Sequence, residues 1–236
     1  MEKIRLAILA SAAGTTSEPI FNKAVVIVTN NPDAGIIEKA EKHGIPLAVR
    51  TRKDYQEDGK YSARLYGEEL IRIFEEHNVD FISLNGWAFL LPENVVVAYP
   101  NHIANVHPGP LDPGHHDFGG KGMYWLSLHQ AVLNFARNIK RPFNTAVTII
   151  KVAKNYDEGG ILAYTEVLVL PDDTAEVLQE RVKVSERQQN IDFWNRVEEF
   201  GKLPPVIQRP SRLILPEEVE ILDKAKAEAI AAYPHG

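Results

Sequence analysis

The fold of this chain is decided by residues 4–29, which read IRLAILASAAGTTSEPIFNKAVVIVT. Two apolar runs, residues 4–9 and 24–29, enclose a loop of small and polar residues at 11–16. Apolar runs with so little alternation are typical of parallel strands that are buried on both faces. The stretch therefore predicts a strand, a tight loop, the start of a helix and then a second strand.

The alternation of strands and helices continues through the first hundred residues. Residues 34–43 have a helical pattern that stops at Gly44, and a strand, a helix and a strand follow at 45–50, 64–78 and 81–84. Such alternation is typical of an α/β domain, so we predict a Rossmann-like, open, mostly parallel twisted sheet flanked by helices. Ligands of such sheets bind at the carboxyl ends of the strands.

The pattern becomes less regular after residue 100. Residues 108–122 are rich in Gly, Pro, His and Asp and predict a long loop. Apolar runs at 145–152 and 161–170 flank a turn at 155–160, which indicates a hairpin or a tight loop that returns to the sheet. The remaining segments with a helical pattern are 123–138, 174–200 and 215–232.

The composition is that of an ordinary globular protein, with 44% hydrophobic and 25% charged residues. Cysteine is absent, which excludes disulfides, thiolate metal sites and a cysteine nucleophile and fits a cytoplasmic location. The net charge of −6 comes from interspersed acidic and basic residues, which argues against a nucleic-acid partner. The apolar runs are too short to cross a bilayer, and residues 1–10 indicate a first strand rather than a signal peptide.

Two polar segments follow predicted strands, namely residues 105–111 (NVHPGPL) and residues 156–160 (YDEGG). Side chains two apart on a strand project from the same face, so we expect Asn105 and His107 to point into one pocket. An Asn amide and a His imidazole can donate hydrogen bonds to a carbonyl oxygen that becomes negative under attack. Asp157 can hold His107 protonated or pass protons through a bound water.

The two segments resemble the Asn-x-His-Pro-Ser-x-Leu-x-Pro and Asp-x-Gly motifs of the 10-formyltetrahydrofolate-dependent formyltransferases. The resemblance implies that Asn105, His107 and Asp157 form the catalytic set, that 10-formyltetrahydrofolate is the cosubstrate, and that no metal is needed. It extends over roughly residues 4–200 and includes residues 85–92 (NGWAFLLP), which are similar to the family's folate loop. The folate-binding residues that this loop implies are Trp87, Phe89, Leu90 and Leu91.

Two further positions concern the substrate that accepts the formyl group. Gly14, Thr15 and Thr16 stand where one branch of the family has a phosphate loop, and a loop that leads into a helix presents backbone N–H groups to an anion. Glu186 stands where that branch has a glutamate that contacts a ribonucleotide, although a plain surface glutamate is the alternative. The resemblance therefore implies formyl transfer to the primary amine of 5-phosphoribosylglycinamide, a step of purine biosynthesis.

Three departures from the family pattern leave the acceptor open. Residues 112–122 (DPGHHDFGGKG) are longer and richer in Gly and His than the usual continuation, Thr148 stands where the branch has His, and Phe89 replaces an Arg. Adjacent residues such as His115 and His116 point in opposite directions in an extended chain and make a poor chelate. The loop therefore predicts a mobile lid over the substrate rather than a metal site.

We predict one catalytic domain over residues 1–201, with a phosphate-binding first half and a folate-binding second half, and a helical C-terminal extension over 202–236. The expected partners are small-molecule substrates, without nucleic acid or membrane, and the expected assembly is a monomer or homodimer. Alternative functions are an N-formyltransferase for an amino-sugar nucleotide, a formyltetrahydrofolate hydrolase and an inactive binding protein. Methionyl-tRNA is a poor alternative acceptor because acidic residues are frequent in the tail.

Overall fold

A computed structural model describes residues 3–234 of the chain. Within that range the strands are β1 (Leu6–Leu9), β2 (Ala24–Thr29), β3 (Leu47–Val49), β4 (Gln56–Glu57), β5 (Lys60–Tyr61), β6 (Phe81–Asn85), β7 (Ile103–His107), β8 (Thr145–Lys151) and β9 (Ile161–Val167). The α-helices are α1 (Ile36–Lys42), α2 (Ala63–Glu76), α3 (Glu93–Ala98), α4 (Trp125–Asn138), α5 (Ala175–Phe200) and α6 (Val219–Ala232). Short 3-10 helices cover Glu18–Lys23, Arg52–Asp54 and Pro216–Glu218.

Seven of these strands form one sheet in the order β3-β2-β1-β6-β7-β8-β9. The pairs β1–β2, β1–β6, β2–β3 and β6–β7 are parallel, whereas β8 and β9 are antiparallel. The predicted open, mostly parallel sheet flanked by helices is therefore confirmed. The predicted return of the chain to the sheet after the turn at 155–160 is confirmed as well.

The segment after β1 differs from the prediction. The loop at residues 11–16 does not lead into an α-helix but into the 3-10 helix Glu18–Lys23, which has only six residues and enters β2 directly. The 3-10 form is the tighter of the two helices and is common in short connecting pieces such as this one. Ser17 at its start makes no side-chain cap. The predicted α-helix N-terminus is therefore wrong at this loop.

The chain divides into two compact units, of which unit 1 comprises the described residues up to Val106 together with Lys151–Lys154 and Asn190–Pro204. In unit 1, helix α2 buries Leu70 and Phe74 against the apolar side chains of β1, β2 and β6. Complete burial of each such side chain contributes about 1.5–3 kcal/mol to the free energy of unfolding. This packing fixes the parallel strands of unit 1 relative to one another, so that their carboxyl ends lie along the same edge of the sheet.

Unit 2 comprises His107–Ile150, Asn155–Gln189 and the described residues from Pro205 onward. In it, α6 packs along α4. Arg141 donates hydrogen bonds of 2.8 and 2.7 Å to the two carboxylate oxygens of Glu218. The C-terminal segment is thus an ordered part of unit 2, while the predicted domain boundary at residue 201 stays a prediction. In residues 3–234 no helix is both long and apolar enough to span a bilayer.

Candidate active site

Asn105 and His107 lie on β7, two residues apart, at the carboxyl end of the strand. Asn105 is opposite Leu84 in the parallel pair formed by β6 and β7. Asn105 is half-buried, and His107 is buried with 5% of its surface exposed. The strand therefore places both side chains on one face, as the sequence predicts, and their catalytic roles stay predictions.

The imidazole of His107 is oriented by the backbone of Gly109. The Gly109 N–H donates a 3.1 Å hydrogen bond to Nδ1, so the neutral ring carries its proton on Nε2. The Gly109 carbonyl oxygen lies 3.3 Å from the same nitrogen and can accept a hydrogen bond from Nδ1–H when the ring is protonated. Nε2 is buried without a hydrogen-bond partner among the described residues, and it is the ring nitrogen left for a substrate.

Thr148, one of the three departures from the family pattern, holds the segment that orients His107. Its hydroxyl donates a 2.8 Å hydrogen bond to the Gly109 carbonyl and accepts a 3.3 Å bond from the Leu111 N–H. The residue is fully buried on β8. Its side chain therefore bonds to the backbone of the segment that follows β7. The sequence did not predict this structural role.

Asp157 lies near the free ring nitrogen of His107, with Oδ2 3.9 Å from Nε2. The separation is too long for a hydrogen bond and suits an electrostatic interaction with a protonated imidazole. Oδ2 also accepts a 2.9 Å hydrogen bond from the Gly120 N–H. The backbone of Asp157 has φ +55°, a conformation that Asp tolerates better than most residues. The structure thus brings His107 and Asp157 together, as the catalytic hypothesis requires.

The loop at residues 112–122 closes one side of a cavity of about 510 Å³ that Asp157 also lines. Asp117 organises this loop, because its carboxylate oxygens each accept a 2.8 Å hydrogen bond, one from the Asp112 N–H and one from the Gly119 N–H. The predicted lid is therefore an anchored loop in this structure. Within residues 3–234, no group of three or more His, Asp or Glu side chains is arranged to hold a metal ion.

His129, which the sequence analysis did not single out, is buried in α4 with 1% of its surface exposed. Burial lowers its pKa to about 3, and the positive charge of nearby Lys183, like that of a protonated His107, acts in the same direction. Its Nδ1 has no hydrogen-bond partner in the described part of the chain. A neutral histidine therefore lies close to His107. A histidine within an apolar helical pattern is a weak signal, because such residues are commonly part of a core.

The predicted folate loop is tied to the end of β1 in unit 1. The Ser11 N–H donates to the Gly86 carbonyl at 3.0 Å, and the Ser11 hydroxyl accepts from the Ala88 N–H at 3.0 Å. Phe89 and Leu90 are exposed, at 39% and 42%. Trp87 is partly buried against the core and Leu91 is buried in it, so Leu91 can reach a ligand only through its backbone. Folate binding by these residues stays a prediction.

The predicted phosphate loop is shaped largely by packing in unit 1. Gly14 has φ +61°, and a Cβ atom at this position would lie 2.7 Å from Cδ1 of Ile36. Thr16 is fixed by a buried residue that the sequence analysis missed, since the Asn190 amide donates to the Thr16 carbonyl at 3.2 Å and to Asn85 Oδ1 at 3.1 Å. The requirement for glycine at position 14 therefore has an internal cause, and phosphate binding stays a prediction.

Glu186 lies on α5 in unit 2 with 6% of its surface exposed. The alternative interpretation, a plain surface glutamate, is therefore wrong. A carboxylate is buried this deeply only when it has compensating interactions. The burial agrees with a specific role for this residue, and contact with the acceptor stays a prediction.

Comparison with known proteins gives a match to the family described as formyl transferase over residues 6–192. The chain is 35% identical over 180 residues to the chloroplastic phosphoribosylglycinamide formyltransferase of Arabidopsis thaliana, an alignment that covers 76% of this chain and 57% of the relative. It is 31% identical over 197 residues to the protein of the same name from Vigna unguiculata, covering 80% and 59%. The chain thus spans somewhat more than half the length of these two plant relatives.

Solved structures with the same fold include two bacterial phosphoribosylglycinamide formyltransferases. The protein from Bacillus halodurans superimposes with a TM-score of 0.68 at 27% identity and covers 83% of this chain and 96% of its own. The protein from Brucella melitensis gives a TM-score of 0.68 at 26% identity, with coverages of 88% and 100%. These similarities agree with the open, mostly parallel sheet described above.

Proposed function

Because the chain belongs to the formyl transferase family, we propose that it transfers the formyl group of 10-formyltetrahydrofolate to the primary amine of 5-phosphoribosylglycinamide. Membership of the family confirms the resemblance as a whole, and the roles of residues 105–111 and 156–160 are part of the proposal. One observation supports this reaction at the described site. Nε2 of His107, which has no hydrogen-bond partner among the described residues, lies 3.9 Å from Asp157 Oδ2, and Asn105 precedes His107 by two residues on the same strand.

The site supplies the groups that formyl transfer needs at its carbonyl oxygen. Attack of the amine nitrogen on the formyl carbon makes this oxygen negative, and preorganised donors stabilise that charge. The Asn105 side-chain amide and the Nε2–H of His107 are the proposed donors. Removal of one donor of this kind from an enzyme typically costs about a hundredfold or more in turnover.

Two proton transfers complete the reaction. The carbon–nitrogen bond to the folate N10 breaks with its electron pair going to N10, which takes up a proton, while the attacking amine loses one. We assign the uptake of the amine proton to Asp157 and delivery to N10 to protonated His107. When Nε2 gives its proton to N10, the remaining ring proton stays on Nδ1, where the Gly109 carbonyl oxygen 3.3 Å away can accept a hydrogen bond. Transfer of the proton held by Asp157, directly or through water, then restores the protonated ring.

The acceptor is supported by less direct observations. The relatives with the same fold have names that contain phosphoribosylglycinamide, and the deep burial of Glu186 fits a specific contact with a ribose. Thr148 no longer argues against this acceptor, because its hydroxyl is used within the protein. The loop at residues 112–122 remains the feature that favours a different amine, such as an amino-sugar nucleotide.

The setting of the reaction is also part of the proposal. A cytoplasmic location fits the absence of cysteine, although the two plant relatives are named chloroplastic. We propose small-molecule substrates only, without nucleic acid, and a monomer or homodimer as the working form. The net charge of −6 is consistent with this choice.

Steady-state absorbance with 10-formyltetrahydrofolate, in the presence and absence of 5-phosphoribosylglycinamide, tests the proposal. We expect turnover only when the amine is present. Turnover without amine would instead identify a hydrolase. Folate binding without turnover of this amine would contradict the acceptor and move the search to amino-sugar nucleotides, whereas no folate binding would contradict the proposed function as a whole.

A further inference from the structure

The Gly-rich loop at residues 112–122 has a fixed shape because its backbone is bonded to side chains. The Asp117 carboxylate accepts the N–H groups of Asp112 and Gly119, both at 2.8 Å. Burial raises the pKa of this carboxyl, while these two N–H groups and the charges of His107 and Lys226 oppose the rise. These bonds define the shape of the loop, but they do not attach it to the rest of unit 2.

Phe118 of the loop packs into unit 2 against Phe135 and Phe143, and α6 adds a polar attachment. The ammonium group of Lys226 donates to the Asp117 carbonyl at 3.1 Å and to the Gly119 carbonyl at 2.9 Å. Burial lowers the pKa of Lys226, and the carboxylates of Asp117, Asp223 and Asp157 act against it. A partly buried lysine that points at two backbone carbonyls makes charge-assisted hydrogen bonds, which are about twice as strong as neutral ones.

A second attachment comes from the chain just before α6. The Leu213 N–H donates a 2.9 Å hydrogen bond to Asp112 Oδ2 at the start of the loop. At the other end of the loop, a Cβ atom at Gly122 would lie 3.0 Å from Cδ1 of Ile230, which is on α6. The C-terminal segment therefore contacts the loop at its beginning, middle and end.

The loop in turn holds Asp157. The N–H of Gly120, one residue beyond a carbonyl bonded to Lys226, donates to Asp157 Oδ2 at 2.9 Å. Backbone and side chain also pack closely here, because a Cβ atom at Gly119 would lie 2.9 Å from Cβ of Asp157. A shift of the loop by 1 Å would move the carboxylate relative to His107, and errors of this size can cost about a hundredfold in rate.

We propose that Lys226 is a positioning residue, which fixes Asp157 beside His107 through the carbonyls of Asp117 and Gly119. Lys226 then supports the site although it lies outside residues 6–192, the part that matches the family. The proposal rests on the proposed function, because it requires Asp157 to take part in formyl transfer.

The kinetic test replaces Lys226 by Met, which keeps most of the side-chain volume and removes the donors. We expect Lys226→Met to lower kcat about tenfold to a hundredfold with less than about threefold change in either KM. Lys226→Arg, which keeps a charged donor, should recover most of the loss. Lys224→Met is the matched control, because Lys224 lies on the same helix, is exposed, and pairs only loosely with Glu228 at 3.8 Å.

Two further measurements separate positioning from general destabilisation. In an Asp157→Asn background, Lys226→Met should cause little additional loss, because both changes act on the same carboxylate. The amide of Gly120 should exchange with solvent about tenfold faster in Lys226→Met than in the wild type or in Lys224→Met. If Lys226→Met does not fold, Lys226→Gln takes its place in all arms.

A kcat equal to that of Lys224→Met, a full additional loss in the Asp157→Asn background, or unchanged exchange at Gly120 would each overturn the inference. A wild-type protein that transfers no formyl group would contradict the proposed function and, with it, the catalytic part of the inference. The exchange rate at Gly120 needs no activity and would still decide whether Lys226 holds the loop.

Discussion

The end of β7 and the loop at residues 14–16 were both predicted to contact substrate, yet the two regions are built differently. His107 is oriented by Gly109, which is held by Thr148 from another strand, and Asp157 is held by Gly120 from a distant loop. The loop at 14–16 combines a local bond, from the Ser17 hydroxyl to the Gly14 carbonyl at 3.1 Å, with a distant one, from the Asn190 amide to the Thr16 carbonyl at 3.2 Å. Hydrogen bonds from distant segments therefore orient the proposed reacting groups, whereas the conformation of Gly14 in the predicted phosphate loop is set by its packing against Ile36.

The largest effects should follow from changes to the reacting groups at the end of β7. We expect His107→Ala, Asp157→Asn and Asn105→Ala each to lower kcat at least about a hundredfold, because charge stabilisation or proton transfer is lost. Circular dichroism and the melting temperature should remain close to wild type. Near-normal turnover by any of the three would remove that residue from the catalytic set.

A smaller loss of activity is expected at Thr148, which contacts His107 only through Gly109. Thr148→Val removes the hydroxyl's hydrogen bonds to the Gly109 carbonyl and the Leu111 N–H, which should lower the free energy of unfolding by about 1–3 kcal/mol and kcat about tenfold. Thr145→Val is the matched control, since Thr145 is buried on the same strand and its hydroxyl has no partner among the described residues. Denaturant titration gives the free energy of unfolding of both variants, and steady-state kinetics gives their kcat. Equal changes in the two variants would contradict the role of Thr148 in orienting the segment at Gly109.

Changes in the loop of unit 1 should affect affinity rather than turnover. Replacing Thr15 and Thr16 together by Val should raise the KM for the acceptor several-fold and leave folate binding almost unchanged, because hydroxyl donors to a phosphate are lost. Gly14 is a poor probe, since any Cβ there clashes with Ile36 and would disturb the fold. Equal losses for both substrates would indicate a folding defect, and no loss would remove the phosphate assignment.

The effect that should be smallest at neutral pH concerns the pH dependence of stability. Burial gives His129 a pKa of about 3 in the folded protein, below its ordinary value of 6.5. Between these two pH values the unfolded chain binds a proton at this residue and the folded chain does not. Stability should therefore fall as the pH drops from about 6.5 towards 3. His129→Leu should flatten this slope in denaturant titrations, while His116→Gln, at an exposed position, should not. Identical slopes in all three proteins would contradict this role of burial.

The comparison also indicates what sequence can and cannot predict here. The parallel sheet follows from apolar runs such as those at 4–9 and 24–29. The pairing of His107 with Asp157 was implied by the family resemblance of residues 105–111 and 156–160. The short 3-10 helix after the loop at 11–16 was missed, because a helical start looks alike whether or not room remains for several turns. Asn190 and Lys226 were missed too, because their partners are distant in sequence and no local pattern encodes such bonds.

The most direct test of the central claim uses 10-formyltetrahydrofolate that carries ¹³C in the formyl group, with 5-phosphoribosylglycinamide as the acceptor. The products of wild-type and Asp157→Asn protein are followed by ¹³C NMR. We predict that the wild type moves the label into an N-formyl amide of the acceptor and that the variant does so at least about a hundredfold more slowly. Label that appears as formate, or as the N-formyl amide at equal rates in both proteins, would contradict the account.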